Sequence, residues 1–199
     1  FFVLEFLHGH LADGSCYAFS FTLTLRLNGC IILIPFHWCS CMYILDIEAS
    51  GLGPDSYPIE IAWCSLDGEQ GWSVLINPET AGNWDDWDDY AEEAIHGISR
   101  DELLRTGKDV VTVACELEQR LGGEEVFSDA VLFDDFWLRR LFGALDRYNP
   151  VRLRQLETIY CSRYAVAIGE ALSAFEPPHR ALADCRGLAE VVQSVVGES

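Results

Sequence analysis

Tyr43-Ile44-Leu45-Asp46-Ile47-Glu48-Ala49-Ser50-Gly51-Leu52 is an apolar strand-like run that carries two acids and ends in a turn. Period two along a strand puts Asp46 and Glu48 on one face. Two carboxylates buried side by side repel each other unless a cation neutralises them. Hard oxygen ligands of this kind suit Mg²⁺ or Mn²⁺. The same spacing also fits a strand end at which Ile44, Asp46 and Glu48 turn toward solvent, and the spacing alone leaves both arrangements open.

Working outward, Ile59 to Cys64 and Trp72 to Ile76 are two more short apolar runs, and the short gaps between them suit antiparallel neighbours. Asn77 to Glu93 is a long acidic loop with Trp84 and Trp87, which either stack on bases or pack at a rim. Ser99-Arg100-Asp101-Glu102 has the capping-box form that starts a helix. A helix is expected over Asp109 to Leu121, ended by Gly122-Gly123. Val126-Phe127 reads as a strand, followed by a helix from about Asp134 to Leu145. Leu156 to Tyr160 reads as a strand, and a helix is expected over Ser162 to Ser173. Pro177-Pro178 break the chain before a last helix to about Val196. Three strands followed by alternating helices and strands predict an α/β fold with a mixed sheet.

Two further places carry chemistry. Asp129, Asp134 and Asp135 lie close together, and helical geometry ranks them. At about 100° per residue, Asp134 falls near the middle of the apolar stripe Trp137, Leu138, Leu141, Phe142 and Leu145, and Asp135 falls roughly a quarter turn away. Asp134 is therefore expected to face the sheet, and Asp135 the rim or solvent. Asp129 remains a strand-end or loop carboxylate. In His179-Arg180-Ala181-Leu182-Ala183-Asp184, His179 and Asp184 would lie about 140° apart if all six residues were helical. The two prolines suggest that the helix starts late, which lets His179 reach back over Asp184 from the preceding loop. A histidine there is suited to accept a proton from water.

This combination resembles the DEDDh (DnaQ-like) 3′–5′ exonucleases, a family that includes proofreading exonuclease domains, RNase T and oligoribonuclease. Asp46 to Leu52 looks like the first motif, Phe133 to Leu138 like the second, and His179 to Asp184 has the spacing of the third. Ile95-His96-Gly97-Ile98-Ser99 resembles another recurring segment. The tyrosine variant would need Tyr at the position of Arg180. Many members have His-Asn ahead of the second-motif Asp, where this chain has Asp129-Ala130. The resemblance implies an RNase H-like (exonuclease) fold, with a mixed five-stranded sheet flanked by helices. It implies two divalent ions, Mg²⁺ or Mn²⁺, on Asp46, Glu48, Asp134 and Asp184. It casts His179 as the base for the attacking water and nucleic acid 3′ ends as the substrate. Gly51 and Leu52 would meet the terminal nucleotide.

Composition sets the competing terms. The chain has 199 residues and a net charge of −19, which excludes a generic polyanion binder relying on charge alone. Residues 139–186 are the exception, with 8 bases against 5 acids. Arg139, Arg140, Arg147, Arg152, Arg154 and Arg163 either face phosphates or balance the acidic face; Arg139 and Arg140 are the candidate substrate contacts. Residues 1–41 hold only three charged residues, Glu5, Asp13 and Arg26, but four of the eight Cys. This break predicts a non-native or disordered extension over 1–41, a natural start at Met42, and an exonuclease domain over 42–199. Cys39-Ser40-Cys41 with His37 lacks the second pair a zinc site needs. Cys64, Cys115, Cys161 and Cys185 read as reduced core cysteines of a cytoplasmic protein. No membrane partner is expected, and a homodimer is left open. Against the exonuclease stand a catalytically inert nucleic-acid- or partner-binding member of the same fold, and an enzyme acting on another phosphodiester.

Overall fold

The computed structural model describes the backbone of residues 2–8, 16–27, 30–160 and 162–197, and the side chains of 42–160, 162 and 164–197. The chain divides into two compact units, Phe1–Met42 and Tyr43–Ser199. In the first, β1 (Phe2–His8) pairs antiparallel with β2 (Cys16–Leu27), which pairs antiparallel with the leading part of β3 (Cys30–Ala49).

The second unit is built on the rest of β3. Its Tyr43–Ala49 stretch pairs antiparallel with β4 (Pro58–Ser65), and β4 pairs antiparallel with β5 (Gly71–Leu75). On its other side β3 pairs with β6 (Glu125–Ser128), which runs parallel to β7 (Leu153–Gln155). The order β5-β4-β3-β6-β7 makes β3 central, so both flanks of the strand that carries Asp46 and Glu48 are paired. Every residue of β4 is buried, which explains its nearly unbroken apolar sequence.

Helices cover this sheet: α1 (Asp89–Ala91), α2 (Arg100–Thr106), α3 (Val110–Leu121), α4 (Val131–Gly143), α5 (Ser162–Ser173) and α6 (Ala181–Gly197). The capping expectation holds at α2, where the Glu102 N–H donates to Ser99 Oγ at 3.1 Å. Asp109 caps α3 through the Thr112 N–H at 2.9 Å. Val110, Val113, Ala114, Leu117 and Leu121 form its buried stripe. They pack into a core with Leu45, Ile47, Ile61, Leu138 and Phe142. Among the described residues, no helix is long and apolar enough to cross a membrane.

The structure departs from the sequence expectations in four places. The strand expected at Leu156–Tyr160 is β7 three residues earlier; Leu156–Thr158 is a 3₁₀ turn, whose three-residue repeat sends both Leu156 and Ile159 inward. Helix α4 begins at Val131 rather than Asp134, because its first turn exposes Leu132 and Phe133 and so hides its periodicity. The acidic loop holds a 3₁₀ turn at Pro78–Ala81, α1, and a π turn at Glu92–His96. Of the cysteines read as core, Cys64 and Cys185 are buried, but Cys115 is exposed on α3, off the buried stripe; Cys161 lies outside the described residues.

Candidate active site

The end of β3, the β6–α4 junction and the start of α6 meet at a cleft of about 220 Å³. It is lined by Asp46, Glu48, Asp129, Asp134, His179 and Asp184, and its apolar walls are Leu52, Phe133, Trp137 and Phe175. Asp46 and Glu48 thus share one face, as period two requires. Asp134 faces inward, with the Ser128 hydroxyl donating to its Oδ2; the same Ser128 Oγ accepts the Ala130 N–H at 2.9 Å and fixes the turn into α4. Asp135, one residue on, pairs with Arg139 at 2.6 Å on the outer side of the helix. Trp84 is buried and stacks on Tyr57 with ring centroids 5.0 Å apart, so it packs within the fold.

The late helix start is also present. Helix α6 begins at Ala181, and His179 precedes it with φ 57°, a left-handed conformation that few non-glycine residues adopt. The Arg180 N–H donates to Asp184 Oδ2 at 3.1 Å, so Asp184 caps the turn that carries His179. One nitrogen of His179 and one oxygen each of Glu48 and Asp184 lie within 4.8 Å of one another. Gly187 lets the loop close over α6: a Cβ there would come within 2.6 Å of the Phe175 ring.

Electrostatics single the cleft out. Burial, reinforced by Asp134, Glu48 and Asp184, holds the Asp46 carboxyl well above the usual range. Burial does the same to Asp134, against the Ser128 hydrogen bond. Glu48 is pushed up to about 7 by burial and by Asp184 and Glu60, with Arg180 opposing. Asp184 and Asp129 are raised as well, both chiefly by burial. Asp184 Oδ1 is buried and has no hydrogen-bond partner among the described residues. Crowded carboxylates that resist ionisation, one with an orphaned oxygen, fit a divalent cation with hard oxygen preferences.

Three of the expected site residues stand outside this cleft lining. Gly51 is buried, and the close approach it permits is that of Asp88, whose Cβ lies 3.1 Å from where a Cβ on residue 51 would sit. Arg139 is held by Asp135, and Arg140 donates to the Asp55 carbonyl at 3.1 Å.

Glu60 is the residue that sequence reasoning missed. It sits on β4 directly across from Glu48 and is only 3% exposed. It accepts from Arg180 Nε at 3.0 Å, from the Ala181 N–H at 3.2 Å and from Ser73 Oγ at 2.9 Å. It thereby fixes both residues that follow His179. A lone acid in the apolar run Ile59–Cys64 was the available signal. Glu60→Ala leaves Arg180 and the helix terminus without an acceptor and is expected to destabilise the fold by ~1–3 kcal/mol. Chemical denaturation measures this; an unchanged midpoint would mean water replaces the carboxylate at no loss.

The five strands of the second unit and their flanking helices form an RNase H-like fold. Solved structures with this arrangement include exonuclease I of E. coli in its zinc-bound complex with single-stranded DNA. That structure has 15% sequence identity and a TM-score of 0.55, over 79% of this chain and 40% of that one. Another structure of exonuclease I matches with a TM-score of 0.57 and 15% identity, over 77% of this chain and 40% of that one. Its apo form gives 0.56 and 15%, over 77% and 42%. The chain therefore spans about two fifths of the length of these proteins. No family model and no curated protein sequence matches the chain.

Proposed function

We propose that this protein is a metal-dependent 3′–5′ exonuclease that hydrolyses the terminal phosphodiester of single-stranded or short nucleic acid, RNA or DNA, releasing nucleoside monophosphates. The observation that carries this reading is the convergence of Asp46, Glu48, Asp134 and Asp184 with His179 on one cleft, all with raised carboxyl pKa values. The likeness to exonuclease I, solved with single-stranded DNA, supports it at the level of fold.

In this proposal the four carboxylates hold two ions, Mg²⁺ or Mn²⁺. When bound, such ions supply positive charge to the attacking and leaving oxygens of an in-line displacement. The remaining work falls to the chain. His179 takes the proton of the attacking water, and the Glu60–Arg180 clamp keeps it over the cleft. Glu48 also accepts from the 3′-hydroxyl. Leu52, 75% exposed at the mouth, wedges against the terminal base, and Phe133 and Phe175 shield the sugar from water. The proposed setting is the cytoplasm, in keeping with the free thiols of Cys64, Cys115 and Cys185. Incubating end-labelled RNA and DNA oligomers with Mg²⁺ and then with EDTA tests the proposal. Stepwise shortening from the 3′ end that EDTA stops is expected; binding without shortening would instead make the chain an inert member of this fold.

The crowded acids give a stability prediction. Glu48 has a folded pKa of about 7, above its ordinary 4.5. A raised carboxyl keeps its proton in the folded state while the unfolded chain has lost its own. The contribution of Glu48 to stability is then fully present below pH 4.5 and is lost as pH rises through 7. The shift corresponds to on the order of 3 kcal/mol. The metal-free protein should melt lower at pH 8 than at pH 5, and Mn²⁺ should raise the melting temperature more at pH 8. A melting temperature independent of pH and Mn²⁺ would remove the electrostatic basis of the metal assignment.

We further propose that residues 1–41 are dispensable. Within the second unit, Tyr43–Ala49 pairs with Pro58–Ser65. A chain starting at Met42 should keep the melting temperature and turnover of the full chain. A large loss of either would show that the segment belongs to the domain.

A further inference from the structure

We propose that a groove on the outer side of α4 is a second contact site for single-stranded nucleic acid. It binds backbone phosphates upstream of the terminal nucleotide through Arg152 and Arg139 and stacks a base on Tyr148; the inference rests on the exonuclease reading. The groove has a volume of about 710 Å³ and is bordered by Val131, Asp135 and Arg139 of α4 and by Arg147, Tyr148 and Arg152 of the segment that follows. It begins where the carboxylate cleft ends, since Ala130 lines the cleft and Val131 the groove. Asp134 and Asp135 point to the two sides of the same helical turn, so a strand leaving one can enter the other.

Charge and exposure make the case for this ligand. In a chain of net charge −19, three arginines converge here. Arg152 is exposed and has no ion-pair or hydrogen-bond partner among the described residues. Among the described residues Arg139 is tied only to Asp135, in a pair whose arginine side chain is 72% exposed. Such surface pairs are worth ~0–1 kcal/mol, so a phosphate can recruit the guanidinium with little loss. Asp135, the one acid among the described residues that line the groove, is answered by Arg139 and by Asn149 Nδ2 at 3.3 Å. Tyr148 is 99% exposed and adds nothing to the core. Its loop is nevertheless anchored: Asp146 takes φ 54°, and the Arg147 N–H donates to the Phe142 carbonyl at 3.0 Å. Arg147 is paired with Glu118, so the groove offers the unpaired Arg152 and the exposed Arg139 beside an aromatic ring held out in water, the arrangement that single-stranded nucleic acid recognises by phosphate pairing and by stacking.

The test compares wild type with Tyr148→Ala, Arg152→Glu and Tyr148→Trp, using oligo(dT) and oligo(U) of roughly 12 nucleotides, the corresponding dinucleotides and a duplex of the same length. Anisotropy of the labelled oligomers should show about 10-fold weaker binding for Tyr148→Ala and for Arg152→Glu. Tyr148→Trp should bind like wild type, and Arg152→Glu should lower the salt slope by about one. Dinucleotide hydrolysis should be unchanged, because a dinucleotide does not reach the groove. Unaltered oligomer binding in both variants overturns the proposal, as does equal weakening for the duplex or an equal loss on the dinucleotide. If wild type hydrolyses nothing yet the variants lose oligomer binding, the exonuclease reading fails and the groove stands. Hydrolysis with no binding change sinks the groove alone.

Discussion

Asp134→Asn is expected to reduce the proposed exonuclease activity by at least ~10³-fold, the scale set by losing several kcal/mol of transition-state charge stabilisation. Asp135→Asn, one residue along the same helix, should leave turnover near that of wild type. The contrast follows from position. Asp134 is buried in the cleft beside Asp46 and Glu48, whereas Asp135 forms a surface pair with Arg139 worth ~0–1 kcal/mol. Stability should move the other way from activity. Burial already raises the Asp134 pKa, so a neutral amide of the same shape removes repulsion and still accepts from the Ser128 hydroxyl. The metal-free Asp134→Asn protein should therefore melt no lower than wild type. Turnover of labelled oligomers at several Mg²⁺ concentrations and a thermal melt provide the two readings. If Asp135→Asn proves the inactive variant, Asp134 is a structural acid and the carboxylate set is wrong.

The cleft was legible wherever its residues share one element. Period two puts Asp46 and Glu48 on one face of a strand but leaves cleft and solvent open, and the stripe of Trp137, Leu138 and Leu141 turns Asp134 toward the sheet. His179 and Asp184 were found by asking where a helix can begin after two prolines. Local geometry proposes each residue singly, the resemblance to the DEDDh pattern joins them into one set, and the structure places these five side chains around one cleft. What stayed hidden is set by pairing between elements. Glu60 meets Glu48 only because β4 lies antiparallel to β3 in that register, and it meets Arg180 only because α6 starts beneath it. Neither relation leaves a mark in a window of sequence. The partners of Arg139 and Arg140 follow the same rule in part: Asp135 is a local neighbour, but the Asp55 carbonyl lies on a distant turn. Cys115 is different, since the α3 stripe of Val113, Ala114 and Leu117 already excluded it from the core.

His179→Ala should slow the reaction by ~10²–10⁴-fold, the usual contribution of a positioned general base. The difficulty in testing it is that the residue also sits in a left-handed backbone conformation at a helix start, so a loss of activity alone would not separate chemistry from scaffold. His179→Asn addresses this, because asparagine tolerates that conformation better than most residues and keeps a polar side chain in the loop. Both variants are expected to lose activity to a similar degree and to melt close to wild type, since Asp184 and Glu60 still hold Arg180 and Ala181. Calorimetric titration with Mn²⁺ adds a second readout. The nitrogen of His179 lies among oxygens of Glu48 and Asp184, a spacing that serves a base and a metal ligand equally well. Four carboxylates suffice for hard cations, so Mn²⁺ affinity should be nearly the same in wild type and both variants. Weakened Mn²⁺ binding in both would make His179 a ligand and leave the attacking water without this base. Turnover at the wild-type rate in either variant would remove His179 from the chemistry and leave the acids to act without it.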